Sequence, residues 1–271
     1  MVRYDFGIIS FELIAGFDFL FLKDYGEVFK VFDMQDSGNL CFGVQTGSQK
    51  LFLKMAGAET VRSNTLPQKA IERLKGTSII YDDLRHPYLL NIVEHRAIPG
   101  GYLQVYEWFD GVCMGKQYGQ RERILALPVE EKLDIYRCIL DFHSHVNDRG
   151  YVAIDFYDGS IMYDFEKKQT RICDIEFYSR MPYVNAMGRM WGSGRFMSPE
   201  EFELGAVIDE RTNVFNMGAT AFQLFGGGTA RSRSEWQLDQ RRYEAALQAV
   251  SMNREERFAS IAEYAKEWDP A

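Results

Sequence analysis

Apolar and polar residues alternate with a period of two through the first part of the chain and recur at helical spacing further on. From Glu27 to Met55 the pattern predicts three strands. EVFKVFD alternates cleanly, MQDSGN is rich in turn formers, LCFGVQT forms a second run, GSQ a turn and KLFLKM a third run. Upstream, FGIISFELIAGFDFLFL is apolar, with Phe17, Phe19 and Phe21 in period-two phase; it predicts two strands joined by a turn at Ala15-Gly16. Glu12 and Asp18 interrupt that stretch, and neither a basic n-region nor a small-residue cleavage site accompanies it, which excludes a membrane span and a secretory signal. After Pro67, Ile71, Leu74, Ile79 and Leu84 return at roughly helical spacing and predict a helix over 68–84, weakened at Gly76. GYLQVYEWFDG reads as a further strand leading into a connector. The clearest helix is VEEKLDIYRCILDFHSHVNDRG, with Leu133, Tyr136, Ile139, Leu140 and Phe142 on one face and Asn147 and Gly150 at its end.

Composition narrows the function. A chain of 271 residues with 46% hydrophobic residues buries a sizeable core. Its net charge of −8 leaves no basic footprint for a phosphate backbone, so a nucleic-acid partner is excluded. The four cysteines, Cys41, Cys113, Cys138 and Cys173, lie among apolar residues without C-x-x-C spacing. They read as reduced core thiols of a cytoplasmic protein. His143 and His145 have no acidic or cysteine partner at metal spacing and read as structural or surface residues.

The candidate chemistry is acidic. Asp155 lies in AIDFYDGSIM; Asp174 follows 19 residues later in ICDIEF; GSGRFMSPEE then spans Gly192 to Glu201, and DERTNVFNMGA comes after it. Upstream, Lys54 stands in the third strand, sharing a face with Phe52 opposite Leu51 and Leu53. Each motif alone is weak. In this order and at these distances they resemble the eukaryotic-type protein kinase family, from Lys54 to the last helix.

The resemblance implies an α+β, bilobal protein-kinase-like fold: an N-lobe of antiparallel sheet plus one helix over 1–109, with 1–25 as an N-terminal strand extension, and a mainly α-helical C-lobe over 110–271. It implies a protein serine/threonine kinase moving the γ-phosphate of ATP with Mg2+ or Mn2+. Lys54 would hold the phosphates, Asp155 would accept or orient the acceptor hydroxyl, and Asp174 with Ser160 would bind the metal. Backbone groups of Glu107 and Phe109, after Tyr106 at the gatekeeper place, would face the adenine. For the phosphate loop, Gly38, 16 residues before Lys54, suits the hairpin better than Gly26, 28 residues before it. Glu200 of Ser198-Pro199-Glu200 would pair with Arg257, and Asn213 would brace the loop of Asp155 through backbone N–H groups. The partner would be a protein substrate or regulator.

The chain also departs from the family pattern. One loop glycine stands where three are expected, with Asp33 and Gln35 in the other places and Asp33 and Asp36 bringing negative charge. Counting back from His86 puts Thr77 where a glutamate should clamp the lysine, with Glu72 more than a turn earlier. Ala153, Ile154, Tyr157 and Ser160 replace the histidine, arginine, lysine and asparagine around Asp155, and Ile175-Glu176 follows Asp174. Asp158 offers the charge that Ser160 lacks. Two alternatives follow: a pseudokinase used as a binding scaffold, and a small-molecule phosphotransferase of the aminoglycoside-phosphotransferase type. The stretch from Asn213 to Arg257 is short for the family, which predicts trimmed C-terminal helices.

Overall fold

The computed structural model describes residues 1–33 and 37–269. The chain is α+β and divides into two compact units, Met1–Arg85 with Leu90–Phe109, and His86–Leu89 with the chain from Asp110 onward.

Unit 1 is built on an antiparallel sheet in the order β3-β4-β5-β7-β6, comprising β3 (Glu27–Phe32), β4 (Leu40–Thr46), β5 (Gln49–Ala56), β6 (Ile92–Ile98) and β7 (Gly101–Glu107). Pairing of Phe42 with Leu53, and of Leu53 with Val105, puts one set of side chains on one face and Cys41, Lys54 and Gln104 on the other. Helix α1 (Pro67–Asp83) covers the second face, where Gln104 Nε2 donates to Leu74 O at 2.9 Å and to Ser78 Oγ at 3.0 Å.

The first face is covered by the N-terminal segment, and here the sequence reading needs correction. The hairpin is β1 (Val2–Phe6) with β2 (Ile9–Leu13), turning at Gly7, whose φ of +64° suits glycine. There is no turn between strands at Ala15-Gly16. Phe17, Phe19 and Phe21 lie in no strand, and Leu20–Asp24 is a 3-10 helix. The reason is local: Asp18 Oδ1 accepts from the Leu20 N–H at 2.9 Å and starts the turn. Phe19 and Phe21 are buried all the same, so their alternation records burial rather than extension. Phe11, Leu13 and Phe19 pack with Phe42, Leu103 and Val105 in a single core cluster.

Unit 2 holds β8 (Val112–Cys113), the short α2 (Arg121–Leu125), α3 (Val129–Asp148), β9 (Tyr151–Val152), β10 (Ile161–Asp164), β11 (Gln169–Ile172), β12 (Ser179–Arg180), β13 (Tyr183–Val184), β14 (Val207–Ile208), α4 (Glu210–Phe225), α5 (Gln240–Ala249) and α6 (Ile261–Trp268). Helix α4 is buried on nearly every side. Tyr136 of α3 ties the helices together: its hydroxyl donates to Met217 O of α4 at 2.9 Å and bonds the Tyr264 hydroxyl of α6 at 2.7 Å. Among the described residues no helix is long and apolar enough to cross a membrane.

Candidate functional site

Two strand pairings in unit 2 gather the acidic residues. Strand β9 pairs with β12, which lays the chain after Asp174 beside the turn that carries Asp155. Strands β10 and β11 pair from Ile161–Ile172 to Asp164–Gln169. One step beyond that ladder, the Cys173 N–H donates to Ser160 O at 2.9 Å, so Ser160 and Asp174 stand at the same end of the hairpin. Asp155 (φ 65°) and Asp174 (φ 58°) both adopt the left-handed conformation, uncommon for residues other than glycine and concentrated at functional positions.

The electrostatics follow from this gathering. Burial pushes the Asp155 carboxyl up to about 7, and the negative charges of Asp174 and Glu176 push in the same direction. Glu201 rises to about 7 as well, mainly through burial, with Glu200 and Asp155 adding to it and two hydrogen bonds from Ser198 opposing it. Burial and the charges of Asp158 and Asp174 raise the Cys113 thiol to about 11, so it is neutral; of the four cysteines Cys41 is a core thiol, whereas Cys113, Cys138 and Cys173 are half-buried. Asp174 is exposed. Ser160 is fully buried, and its Oγ has no hydrogen-bond partner. Among the described residues no group of three His, Cys, Asp or Glu side chains is placed to hold a metal ion.

The loop bearing Asp155 is braced from α4. The Ala153 N–H donates to Asn213 Oδ1 at 2.8 Å, and Asn213 Nδ2 donates to Tyr151 O at 2.9 Å. The amide oxygen accepts one backbone bond, as the sequence suggested, and the amide nitrogen adds a bond that a carboxylate could not make. His143 supports the loop from α3. Its Nδ1 lies 2.8 Å from Ile139 O, an acceptor only, so Nδ1 carries the proton and Nε2 accepts from the Tyr178 hydroxyl at 2.9 Å. Burial lowers this imidazole to about 4, and the ring packs 4.2 Å from that of Phe156.

The Asp158 carboxylate is taken up by two arginines. It is 1% exposed and accepts a fork from Arg195 at 2.8 and 2.9 Å, with a third bond from Arg121 Nε at 3.2 Å. Its charge is therefore spent on tying the loop of Asp155 to the segment after Gly192. A side chain added at Gly192 would come within 3.5 Å of Asp155 Oδ1, which places that glycine against the carboxylate. Glu200 and Arg257 form a buried fork, 2.6 and 3.0 Å, and Thr212 Oγ1 donates to Glu200 at 2.8 Å.

In unit 1, Lys54 lies in the middle of β5, flanked by Cys41 and Gln104, on the face that α1 covers. Thr77 is buried, and its hydroxyl donates back to Arg73 O at 2.9 Å within the same helix. Glu72 is exposed and accepts from Gln68 at 3.1 Å. Gly38 occupies the β3–β4 connection, whereas Gly26 precedes β3. Gly38 is buried with φ +82°, and a side chain there would meet Thr65 at 3.2 Å, which accounts for the glycine by packing. Gln35 and Asp36 lie outside the described residues. The Glu107 N–H donates to Asn91 O at 3.2 Å, and Phe109 ends the unit. The Tyr106 hydroxyl is buried and donates to Gln104 at 2.7 Å.

Several working residues escaped the sequence reading: His143 as a loop support, Arg121 and Arg195 as partners of Asp158, and Thr212, Asn216 and Gln223 on α4. The signal was present in α4. Its register is apolar nearly all round yet carries Thr, Asn and Gln, and buried amides and hydroxyls need partners in neighbouring segments.

The chain is thus an α+β protein with a braced, partly buried carboxylate beside two others. No protein-family model matches it, and no curated protein matches it.

Proposed function

We propose that this chain is a phosphotransferase of protein-kinase type, with the bilobal arrangement of that family, moving the γ-phosphate of ATP to a protein serine or threonine in the cytoplasm. The observation that carries the reading is Asp155. It sits on a loop fixed by Asn213 and His143, and burial together with Asp174 and Glu176 brings its carboxyl up to about 7. A group that accepts a proton from an acceptor hydroxyl works best with its pKa near the working pH. Asp174 and Ser160 would hold magnesium, since the buried Ser160 Oγ lacks a partner and Asp174 lies at the same hairpin end. Magnesium is commonly held by one or two carboxylates plus substrate phosphates, so a cage of three protein carboxylates is not needed. The ion would neutralise charge on the transferring phosphate. Lys54 supplies the phosphate contact, Gly38 belongs to the covering loop, and backbone groups of Glu107 and Phe109 take the adenine. A small-molecule acceptor fits the same residues.

One observation favours the scaffold reading instead. In α1 neither Thr77, bonded to its own helix, nor Glu72, turned to Gln68, supplies Lys54 with a clamping carboxylate.

The experiment is transfer from γ-labelled ATP, with Mg2+ or Mn2+, compared with a thermal shift under the same conditions. The parent should show metal-dependent nucleotide stabilisation and label incorporation or ATP hydrolysis. Asp155→Asn should lose turnover yet keep nucleotide binding, and Asp174→Asn should lose the metal dependence. Equal turnover in the parent and Asp155→Asn would reject catalysis by this site. Nucleotide binding without turnover would leave the scaffold reading.

A further inference from the structure

We infer that unit 2 carries a second binding site, for a small ligand that joins an aryl or short acyl group to one anionic group. The site is lined by residues other than Asp155, Asp174 and Ser160, and binding there does not require phosphoryl transfer.

The pocket has a volume of about 220 Å³ and opens between the segment 194–202, α4 and the loop 226–231. Its floor is Phe215, Ala219 and Phe222, all buried; Met197, Phe202 and Met252 form the walls. Phe202 is 46% and Met252 67% exposed, so apolar surface continues to the rim. A dry cavity of roughly 150 Å³ lined by such side chains accepts benzene, so this volume takes one ring and a short tail.

Polarity is one-sided. No carboxylate lines the pocket, and its two charged residues are Arg195 and Arg231. Arg195 is neutralised by its fork on Asp158. Arg231 is different. Its guanidinium donates to Val250 O at 2.8 Å and lies over the Phe215 ring at 5.5 Å, and among the described residues no carboxylate pairs with it. The nearby cation, Arg257, is itself consumed by Glu200. An anionic group entering the pocket would therefore meet one uncompensated guanidinium beside an aromatic floor.

The backbone at the mouth points the same way. Arg231 holds φ 55° after Gly226, Gly227 and Gly228, all at positive φ. Such a conformation is unfavourable for arginine and persists only where the surroundings enforce it. The Tyr243 hydroxyl, donating to Arg231 O at 2.9 Å, fixes the residue in place.

The test uses phenylacetate as the probe, with phenylacetamide as its neutral counterpart and acetate as the charge alone. Binding is read on the methyl resonances of Met197 and Met252 in methionine-labelled protein. Phenylacetate should shift both methyls, with a dissociation constant on the order of 1 mM, reasonable for so few atoms. Phenylacetamide and acetate should bind at least about tenfold more weakly, as the loss of a charge-assisted bond or of the ring implies. Arg231→Gln should remove the preference for the acid, and Arg231→Gly should do so while relieving the backbone. A capped peptide carrying Phe next to Glu, against its Gln counterpart, distinguishes a peptide side chain from a free acid as the natural source. Equal binding of acid and amide by the parent, or no shift of either methyl with any probe, overturns the proposal without reference to the variants.

Discussion

At the scale of single residues, the molecule concentrates its electrostatic cost on two carboxyls. Asp155 and Glu201 both rise to about 7, so the folded chain binds protons that the unfolded chain releases. Their contribution to stability is complete below the unfolded values near 4 and is lost as the pH rises toward 7. His143, lowered to about 4, acts in the opposite sense, removing stability as the pH falls below about 6.5. The clean measurement is thus a difference. Asp155→Asn should melt at least about 2 °C above the parent near pH 8 and lose that advantage toward about pH 4. Coincident melting curves across that range would show that Asp155 carries no such burden. Glu200 belongs to another class. Burial raises its carboxyl, but the Arg257 fork outweighs burial and holds it below the usual value. Glu200→Ala strands a guanidinium that is 0% exposed, and denaturant titration should show a loss of about 3–5 kcal/mol. A shift of only a few tenths would show the pair to be dispensable.

At the scale of elements, α4 organises unit 2. From one helix, Thr212 reaches Glu200, Asn213 reaches Ala153 and Tyr151, Asn216 reaches Phe196, and Gln223 accepts from Arg121 and Arg195. Asn213→Leu should cost about 2 kcal/mol or more, since it orphans two buried backbone groups, and Asn213→Asp about 1 kcal/mol, because the bond to Ala153 survives. Equal losses would place the value of Asn213 in packing rather than in these bonds. The Arg195–Asp158–Arg121 network suggests a second prediction. It ties the loop of Asp155 to the following segment using fixed charges. Phosphatase treatment should leave both the melting temperature and any turnover unchanged, and a fall in either would contradict it. Much of this level was legible in the sequence. The three strands from Glu27 to Ala56, the helix after Pro67 and the long helix before Asn147 follow their apolar period, because local spacing decides which face is buried. The partners of Asp158 were not legible. Arg121 and Arg195 are distant in sequence, and nothing near either one marks a shared partner.

At the scale of the whole chain, the α+β class and the gathering of Asp155, Asp174 and Ser160 in one unit come from pairings that motif order anticipates, because each aspartate ends or follows a short strand. The N-terminal segment shows where such reading fails. Period-two aromatics signalled a strand, yet one side-chain bond from Asp18 turned Phe19 and Phe21 inward by another route. Removing residues 1–19 should strip Phe11, Leu13 and Phe19 from the sheet core, and the truncated chain should expose Phe42, Leu103 and Val105 and aggregate on expression. A truncated chain that stays monomeric and melts like the parent would make the hairpin an ornament. The same cover has a consequence for biosynthesis. The aromatic hairpin leaves the ribosome well before Leu103 and Val105, the residues that complete its packing surface. Until β7 emerges, the hairpin rings have Phe42 and its neighbours on β4 and β5 to pack on but not Leu103 and Val105, so part of their surface stays exposed, the kind of surface that holdase chaperones engage. Folding of unit 1 is therefore gated by the synthesis of its last long strand, and slowing translation before Gly101 should lengthen that interval and lower the soluble yield.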